Sequence, residues 1–206
     1  MDLRFRMEMD SIKEVLEAVR KGSLGIEEAE LYFRKKPFMD IGFANIDTNR
    51  KQRTGAAEVI YGAGKSEAQI LSIVNAMKEG GQEDILITRL SAEKASKLKE
   101  SLRFEYFEDG RVGICGKVKE PDGTGKIAVV TGGTSDIPVA AEAFHTARFL
   151  GNEVLTIYDV GVSGLHRLLA RLDDIMSARV VIVVAGMEGA LASVVGGMVS
   201  VPVIAV

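Results

Sequence analysis

Three glycine-rich segments in the last third of the chain carry most of the residues able to do chemistry. They are VVTGGTSD (Val129–Asp136), YDVGVSGLHR (Tyr158–Arg167) and VVAGMEGA (Val183–Ala190). Each directly follows a run rich in β-branched residues, so each reads as the loop leaving a buried strand. In the first, Gly132 and Gly133 let the backbone approach a ligand closely. Thr134 and Ser135 offer hydroxyls, and a helix opening near Pro138 aims N–H groups at a phosphate or carboxylate. The competing reading is a plain turn in which Asp136 caps that helix. The segment matches neither G-x-G-x-x-G nor a P-loop, because no third glycine and no Gly-Lys-Ser/Thr follows, which disfavours a generic dinucleotide fold.

In the second segment, Ser163 and Gly164 precede His166 and Arg167 at a strand exit. An imidazole there is better placed to touch a ligand than to pack in a core, and Arg167 can grip a phosphate bidentately. His145, inside the preceding helix, reads as a surface or core-edge histidine. In the third segment Glu188 sits among Gly186, Met187 and Gly189 and is the last charged residue of the chain after Arg179. Burial would raise its pKa and suit it to proton transfer; a carboxylate satisfied by the N–H groups of the next helix is the competing reading.

These loops need strands and helices to hold them. Residues 127–130 read as a strand, Pro138 to Leu150 as a helix, and Glu153–Tyr158 as a strand. Leu165 to Met176 reads as a helix, Arg179–Ala185 as a strand, Ala190–Val199 as a helix of small residues, and Val201–Val206 as a strand. That alternation implies a parallel, doubly wound α/β sheet whose loops open on one edge and converge on one ligand. Before residue 120 the pattern is α+β. A helix spans Ser11–Arg20, with Asp10 as N-cap and Gly22 as terminator, and a second covers Ile26–Phe33, forming a hairpin. Glu58–Tyr61 reads as a short strand, Ser66-x-x-Gln69 as a capping box opening a helix to Lys78, and Ile85–Thr88 as a strand. The expected organisation is an amino-terminal α+β domain (1–120), a linker (121–126) and an α/β domain (127–206). Asp47, Arg50, Arg53, Lys65 and Arg89 are candidate contacts from the first domain, although by spacing alone they read as solvated charge.

Composition bounds the answer. With 206 residues, 47% hydrophobic and 27% charged, the chain can bury one good core and a smaller one, and it reads as a soluble globular protein. The single cysteine, Cys115, excludes an internal disulfide, and no leader pattern opens the chain, so a cytoplasmic setting is expected. A net charge of −3 argues against nucleic acid as the main partner, and glycines interrupt the apolar stretch after Val180, so no membrane span is expected. Residues 127–206 hold four Arg and no Lys against seven acidic side chains, whereas residues 1–126 hold twenty-two of each sign, marking the amino-terminal part as mostly surface.

GGTSD, GLHR and AGMEGALASVVGGMVSVPVIAV resemble, in order and spacing, the GSxSD, SAHR and AGxxAHLPGM…PVxGV segments of the purine-pathway carboxyaminoimidazole ribonucleotide mutase, PurE. With DTNRKQRTGAAEVIYGAGKS (Asp47–Ser66) upstream, the fuller match from about Asp40 to Val206 resembles the PurE-related LarB family. Neither the Asp-x-x-Arg-x-x-Arg-Thr-Gly segment nor AGMEGA belongs to PurE itself. Where PurE has AHLPGM, this chain reads Ala192-Ser193-Val194-Val195-Gly196-Gly197-Met198, without histidine.

The LarB resemblance implies a flavodoxin-like three-layer α/β domain and the first step of nickel-pincer nucleotide synthesis. Nicotinic acid adenine dinucleotide would be carboxylated on its pyridinium ring with carbon dioxide as co-substrate, and its phosphoanhydride hydrolysed to release AMP. A PurE-like mutase acting on aminoimidazole ribonucleotide, and a non-catalytic nucleotide-binding protein, are the alternatives. The resemblance sets Thr134, Ser135 and Asp136 on the nucleotide's phosphate and ribose, His166 and Arg167 beside them, and Glu188 facing the ring. Catalysis is then expected of Glu188, Asp136 and His166. Binding is expected of Gly132, Gly133, Thr134, Ser135, Asp136, Ser163, Gly164, His166, Arg167, Gly186, Met187 and Gly189. No tightly bound cofactor is implied, magnesium is a candidate aid to hydrolysis without identifiable ligands, and the assembly implied is an octamer. The family's cysteine nucleophile does not match Cys115, so a chain truncated after the strand VPVIAV, and unable to activate the ring, is the expectation.

Overall fold

The computed structural model describes residues 12–35 and 38–206. The proposed N-cap Asp10 therefore lies outside the described residues. Helices α1 (Ile12–Arg20) and α2 (Ile26–Lys35) form the expected hairpin. Gly22 ends α1 in the left-handed region at φ 73°, where its N–H and that of Ser23 close onto Val19 and Ala18. Val15, Ala18 and Ala29 form a small core between them.

Strands β1 (Phe38–Asp40) and β2 (Asn45–Asp47) pair antiparallel, and α3 (Arg50–Thr54) follows. Strand β3 is only Ile60–Tyr61, shorter than the run from Glu58: the Glu58 carbonyl accepts the Gln82 side-chain N–H, and the Glu58 carboxylate accepts the Asp47 N–H. Helix α4 (Glu67–Glu79) opens on the expected capping box: the Ser66 hydroxyl accepts the Gln69 N–H, and the Gln69 side chain accepts the Ser66 N–H. After β4 (Ile85–Thr88) come α5 (Ala92–Leu98) and the hairpin β5 (Glu105–Phe107) and β6 (Val112–Cys115). Their sheet runs β3-β4-β6-β5, parallel only between β3 and β4.

The second sheet is wholly parallel. It comprises β7 (Lys126–Thr131), β8 (Glu153–Ile157), β9 (Ala178–Val184) and β10 (Val203–Ala205), in the order β10-β9-β7-β8. Residues alternate between two buried faces. Ala128 and Val130 of β7 join one core with Leu168, Ile175, Leu191 and Val195, while Val129 joins another with Ala140 and Val184. Helix α6 (Ile137–Phe149) covers the second face. Helices α7 (Leu165–Leu169), α8 (Leu172–Met176) and α9 (Ala190–Gly196) cover the first. Mixed α/β architecture with a doubly wound parallel unit is thus the fold class.

Two expected helices differ. Leu165–Met176 is not continuous: Arg171 leaves the helical region at φ −115°, ψ 13° and opens α8, its Nε donating to Asp174 in that helix's first turn at 2.7 Å. Helix α9 ends at Gly196 rather than Val199, where the glycine pair lowers helix propensity, and only Leu191 and Val195 of it are buried.

Helix α6 also faces the first sheet. Phe149 packs with Leu86, Val112 and Ile114, and the Gly110 turn lies so close that a Cβ there would be 2.8 Å from the Ala141 carbonyl carbon. Beside it His145, 5% exposed, bonds through Nε2 to Asp109 Oδ1 at 2.9 Å and stacks on Phe107. His145 is therefore a buried core-edge residue at the junction of the two units.

Candidate active site

The three glycine-rich loops leave the carboxyl ends of β7, β8 and β9, so they share one edge of the parallel sheet. Strand order reverses between β7 and its neighbours, and a crevice forms outside the strand ends at such a reversal. Gly132, Gly133, Thr134, Ser135 and Asp136 form the β7 exit, with Thr134–Asp136 as a 3-10 turn running into α6. Ser163, Gly164, His166 and Arg167 form the β8 exit, and Gly186, Met187, Glu188 and Gly189 the β9 exit.

Backbone and carboxylate contacts stitch these loops together. Asp136 Oδ2 accepts the Gly133 N–H at 2.8 Å, and its Oδ1 accepts the Gly186 N–H at 3.1 Å, so one carboxylate bridges the β7 and β9 exits. Asp136 stands at the start of α6 but makes no side-chain cap to it, so in place of the competing reading of a helix cap the carboxylate brackets two loops. On the other side, the buried Thr131 accepts the Asp159 N–H on Oγ1 at 2.9 Å and the Val160 N–H on its carbonyl at 3.0 Å. Gly161 then passes so near the β7 exit that a Cβ would lie 2.5 Å from the Gly132 carbonyl oxygen. Only glycine fits there.

Within this frame Thr134, Ser135 and His166 are exposed. Arg167 is half-buried, with Nη1 paired to Asp159 Oδ2 at 2.8 Å and its guanidinium over Gly164, where a Cβ would meet Nε at 2.9 Å. Met187 is 96% exposed and Glu188 is exposed as well. The expectation of a buried Glu188 is therefore corrected: the turn Gly186–Gly189, with Gly189 at φ 68°, leaves the carboxylate exposed instead of in the core.

The amino-terminal candidates do not join this edge through any contact among the described residues. Asp47 pairs with Arg53 and accepts the Asn49 N–H, contacts that hold its pKa below the usual carboxylate range, chiefly through Arg53. Arg50 lies on α3, where its carbonyl accepts the Thr54 hydroxyl; Lys65 donates to the Tyr61 carbonyl at 3.1 Å. Arg89, left-handed at φ 52°, pairs with Glu142 of α6 and so ties the two units together. Cys115 is fully buried in the first unit's core, and burial pushes its thiol pKa up, the reverse of an activated nucleophile. Among the described residues no three His, Cys, Asp or Glu side chains come together as a metal site. No helix among them is long and apolar enough to cross a membrane.

Two members of the site escaped the sequence reading. Thr131 is signalled only by a hydroxyl residue ending an aliphatic strand. Asp159 is signalled only by its place before Val-Gly, and its left-handed backbone, φ 59°, is invisible in sequence.

Residues 38–117 match the family model described as LarB/PurE-like N-terminal domain, and residues 126–206 match AIR carboxylase. An uncharacterized protein of Methanocaldococcus jannaschii is 36% identical over 208 residues, covering 95% of this chain and 80% of its own length. The chain belongs to the LarB family. Its chemistry is accordingly of the carboxylase type found in the PurE and LarB families.

Proposed function

We propose that this chain supplies the substrate edge of a LarB-family enzyme that converts nicotinic acid adenine dinucleotide and carbon dioxide to the pyridinium-3,5-biscarboxylic acid mononucleotide and AMP, the first step of nickel-pincer nucleotide synthesis, with the nucleophile supplied from outside these 206 residues. The observation that carries the reading is a single bracketed edge. It gathers two free-standing hydroxyl residues, a half-buried arginine and an exposed carboxylate at a strand-order reversal, the place where sheets of this class take their ligands. Hydroxyls and guanidinium suit a pyrophosphate, and the carboxylate suits a cationic ring.

The pyridinium carbon is electron-poor and does not attack carbon dioxide unaided. A nucleophile adds to the ring first and leaves an enamine-like carbon, which forms the new C–C bond to carbon dioxide. A base then takes the ring proton, and the nucleophile departs with its electron pair as the pyridinium is restored. By family resemblance the nucleophile is a cysteine; buried Cys115 does not fit it. Glu188 takes or positions the ring proton, and His166 lies beside the phosphates. Thr134, Ser135 and Arg167 hold the pyrophosphate, with Gly132, Gly133, Ser163, Gly164, Gly186, Met187 and Gly189 shaping the approach. Asp136 acts by keeping the β7 and β9 exits in register. Water opening the phosphoanhydride releases AMP. Magnesium would serve as a charge partner for the two phosphates, and no other cofactor is proposed. The same reading makes the protein cytoplasmic and an octamer: the outward side of α9, with exposed Ser193, Gly196 and Gly197, suits close approach of a second backbone. Light scattering that reports a monomer at micromolar concentration would overturn the assembly.

Thermal-shift measurements with nicotinic acid adenine dinucleotide, NAD, AMP and aminoimidazole ribonucleotide test the substrate. At a hundredfold excess over Kd, selective binding adds about 2.7 kcal/mol, a rise of roughly 5–10 °C for a protein of this size. Stabilisation by aminoimidazole ribonucleotide instead would make the chain a PurE-like mutase, and stabilisation by AMP and NAD alike would leave a nucleotide-binding protein.

A further inference from the structure

We propose that Asp159 is a positioning residue whose carboxylate holds the Arg167 guanidinium ready for the anionic part of the substrate. This rests on the reading of Arg167 as a phosphate contact given above. Asp159 occupies a left-handed backbone position, φ 59°, where glycine is the residue of least strain, yet an aspartate stands there. Its N–H is spent on Thr131 Oγ1 at 2.9 Å, which sets its backbone on the floor of the β7 exit, and its side chain is spent on Arg167 Nη1 at 2.8 Å. Half-exposed ion pairs contribute little to folding, so stability does not account for choosing a strained aspartate over glycine. Gly164 leaves the space that the guanidinium occupies, since a Cβ there would lie 2.9 Å from Nε and 3.3 Å from Nη2. The arginine is therefore held by an acceptor from the start of the β8 exit and lies against bare backbone at its end. An unrestrained arginine would lose rotamer freedom on binding; one already held does not.

The sign of the effect makes the idea testable. A carboxylate beside an anion site repels the anion, so acting by charge alone it would weaken binding and its removal would tighten it. Acting through Arg167, its removal must weaken binding. The test is calorimetric titration of the full chain with nicotinic acid adenine dinucleotide and, separately, inorganic pyrophosphate, in Asp159→Gly, Asp159→Asn, Arg167→Ala and the Asp159→Gly/Arg167→Ala double variant. Asp159→Gly is expected to melt at or above the parent temperature yet bind both probes about tenfold more weakly. Asp159→Asn, which tolerates the same backbone and keeps an acceptor, falls between, and carries the test should the glycine variant fail to fold. The double variant binds no more weakly than Arg167→Ala alone. Tighter binding in Asp159→Asn, unchanged binding in Asp159→Gly, or additive losses in the double variant would each overturn the proposal. If pyrophosphate follows the expected pattern while the dinucleotide does not bind, the substrate reading falls and the positioning role stands; if neither probe binds the parent chain, both fall.

Discussion

The two sheets of this molecule use their loops in opposite ways. In the carboxyl-terminal sheet every strand points the same way, so three glycine-rich exits meet at one edge and are sewn together by Thr131, Asp136 and Gly161. In the amino-terminal sheet only β3 and β4 share a direction, and the tip of the β5–β6 hairpin is driven against α6 through Gly110 and the His145–Asp109 contact. One sheet leaves its loops together at a shared edge; the other packs its hairpin tip against helix α6. Strand direction makes the difference, because antiparallel pairs return their loops to both ends and cannot gather them. Helix α6 belongs to both regimes: its first turn follows the Asp136 bracket and its last turn lies under Leu86 and Val112.

The sharpest way to test that division is Glu188→Gln. If the carboxyl-terminal edge does the proton chemistry, incorporation of labelled carbon dioxide by an enzyme that also carries the nucleophile should fall at least about a hundredfold, with melting temperature unchanged because Glu188 is exposed. Unchanged incorporation would remove Glu188 from the mechanism.

A matched pair of glycine substitutions compares the regions directly. Gly161→Ala and Gly110→Ala each press a methyl group into backbone, at 2.5 Å and 2.8 Å, and each should cost about 1–3 kcal/mol by chemical denaturation. Their ligand effects should part. Gly161→Ala separates two site loops and is expected to weaken dinucleotide binding more than about tenfold, about 1.4 kcal/mol. Gly110→Ala should weaken it by less than about threefold, well under 1 kcal/mol. Equal losses would show that the first unit is part of the site instead of its support.

The smallest effect concerns Cys115. Burial raises its thiol pKa in the folded chain, so below the unfolded thiol value both states keep the proton and its contribution is complete. As pH climbs past that value, the unfolded chain gives up its proton first and stability falls until the folded thiol titrates too. Urea titrations from about pH 8 to 10 should show a decline that Cys115→Ala makes shallower, with dinucleotide binding unaltered. A loss of binding in Cys115→Ala would move the thiol from core to site.

Sequence by itself determined the elements and their order. Continuous β-branched and aliphatic runs, the Ser66–Gln69 capping box and glycine punctuation all act over a few residues, so the strands 85–88, 126–131 and 178–184 and helix α4 were legible within a residue or two. So was the shared edge, since strand–helix alternation implies parallel strands and parallel strands imply loops on one side. Which side chains the loops commit to was decided only by the tertiary structure. Asp136 reaches a backbone N–H fifty residues away, Arg167 is claimed by Asp159, Arg89 is claimed by Glu142, and Glu188 stands in solvent where an apolar neighbourhood in sequence suggested burial. Apolar neighbours along the chain do not bury a turn that projects past the strand ends. Burial and partnership depend on what the fold brings near, and that information lies in packing between segments distant in sequence.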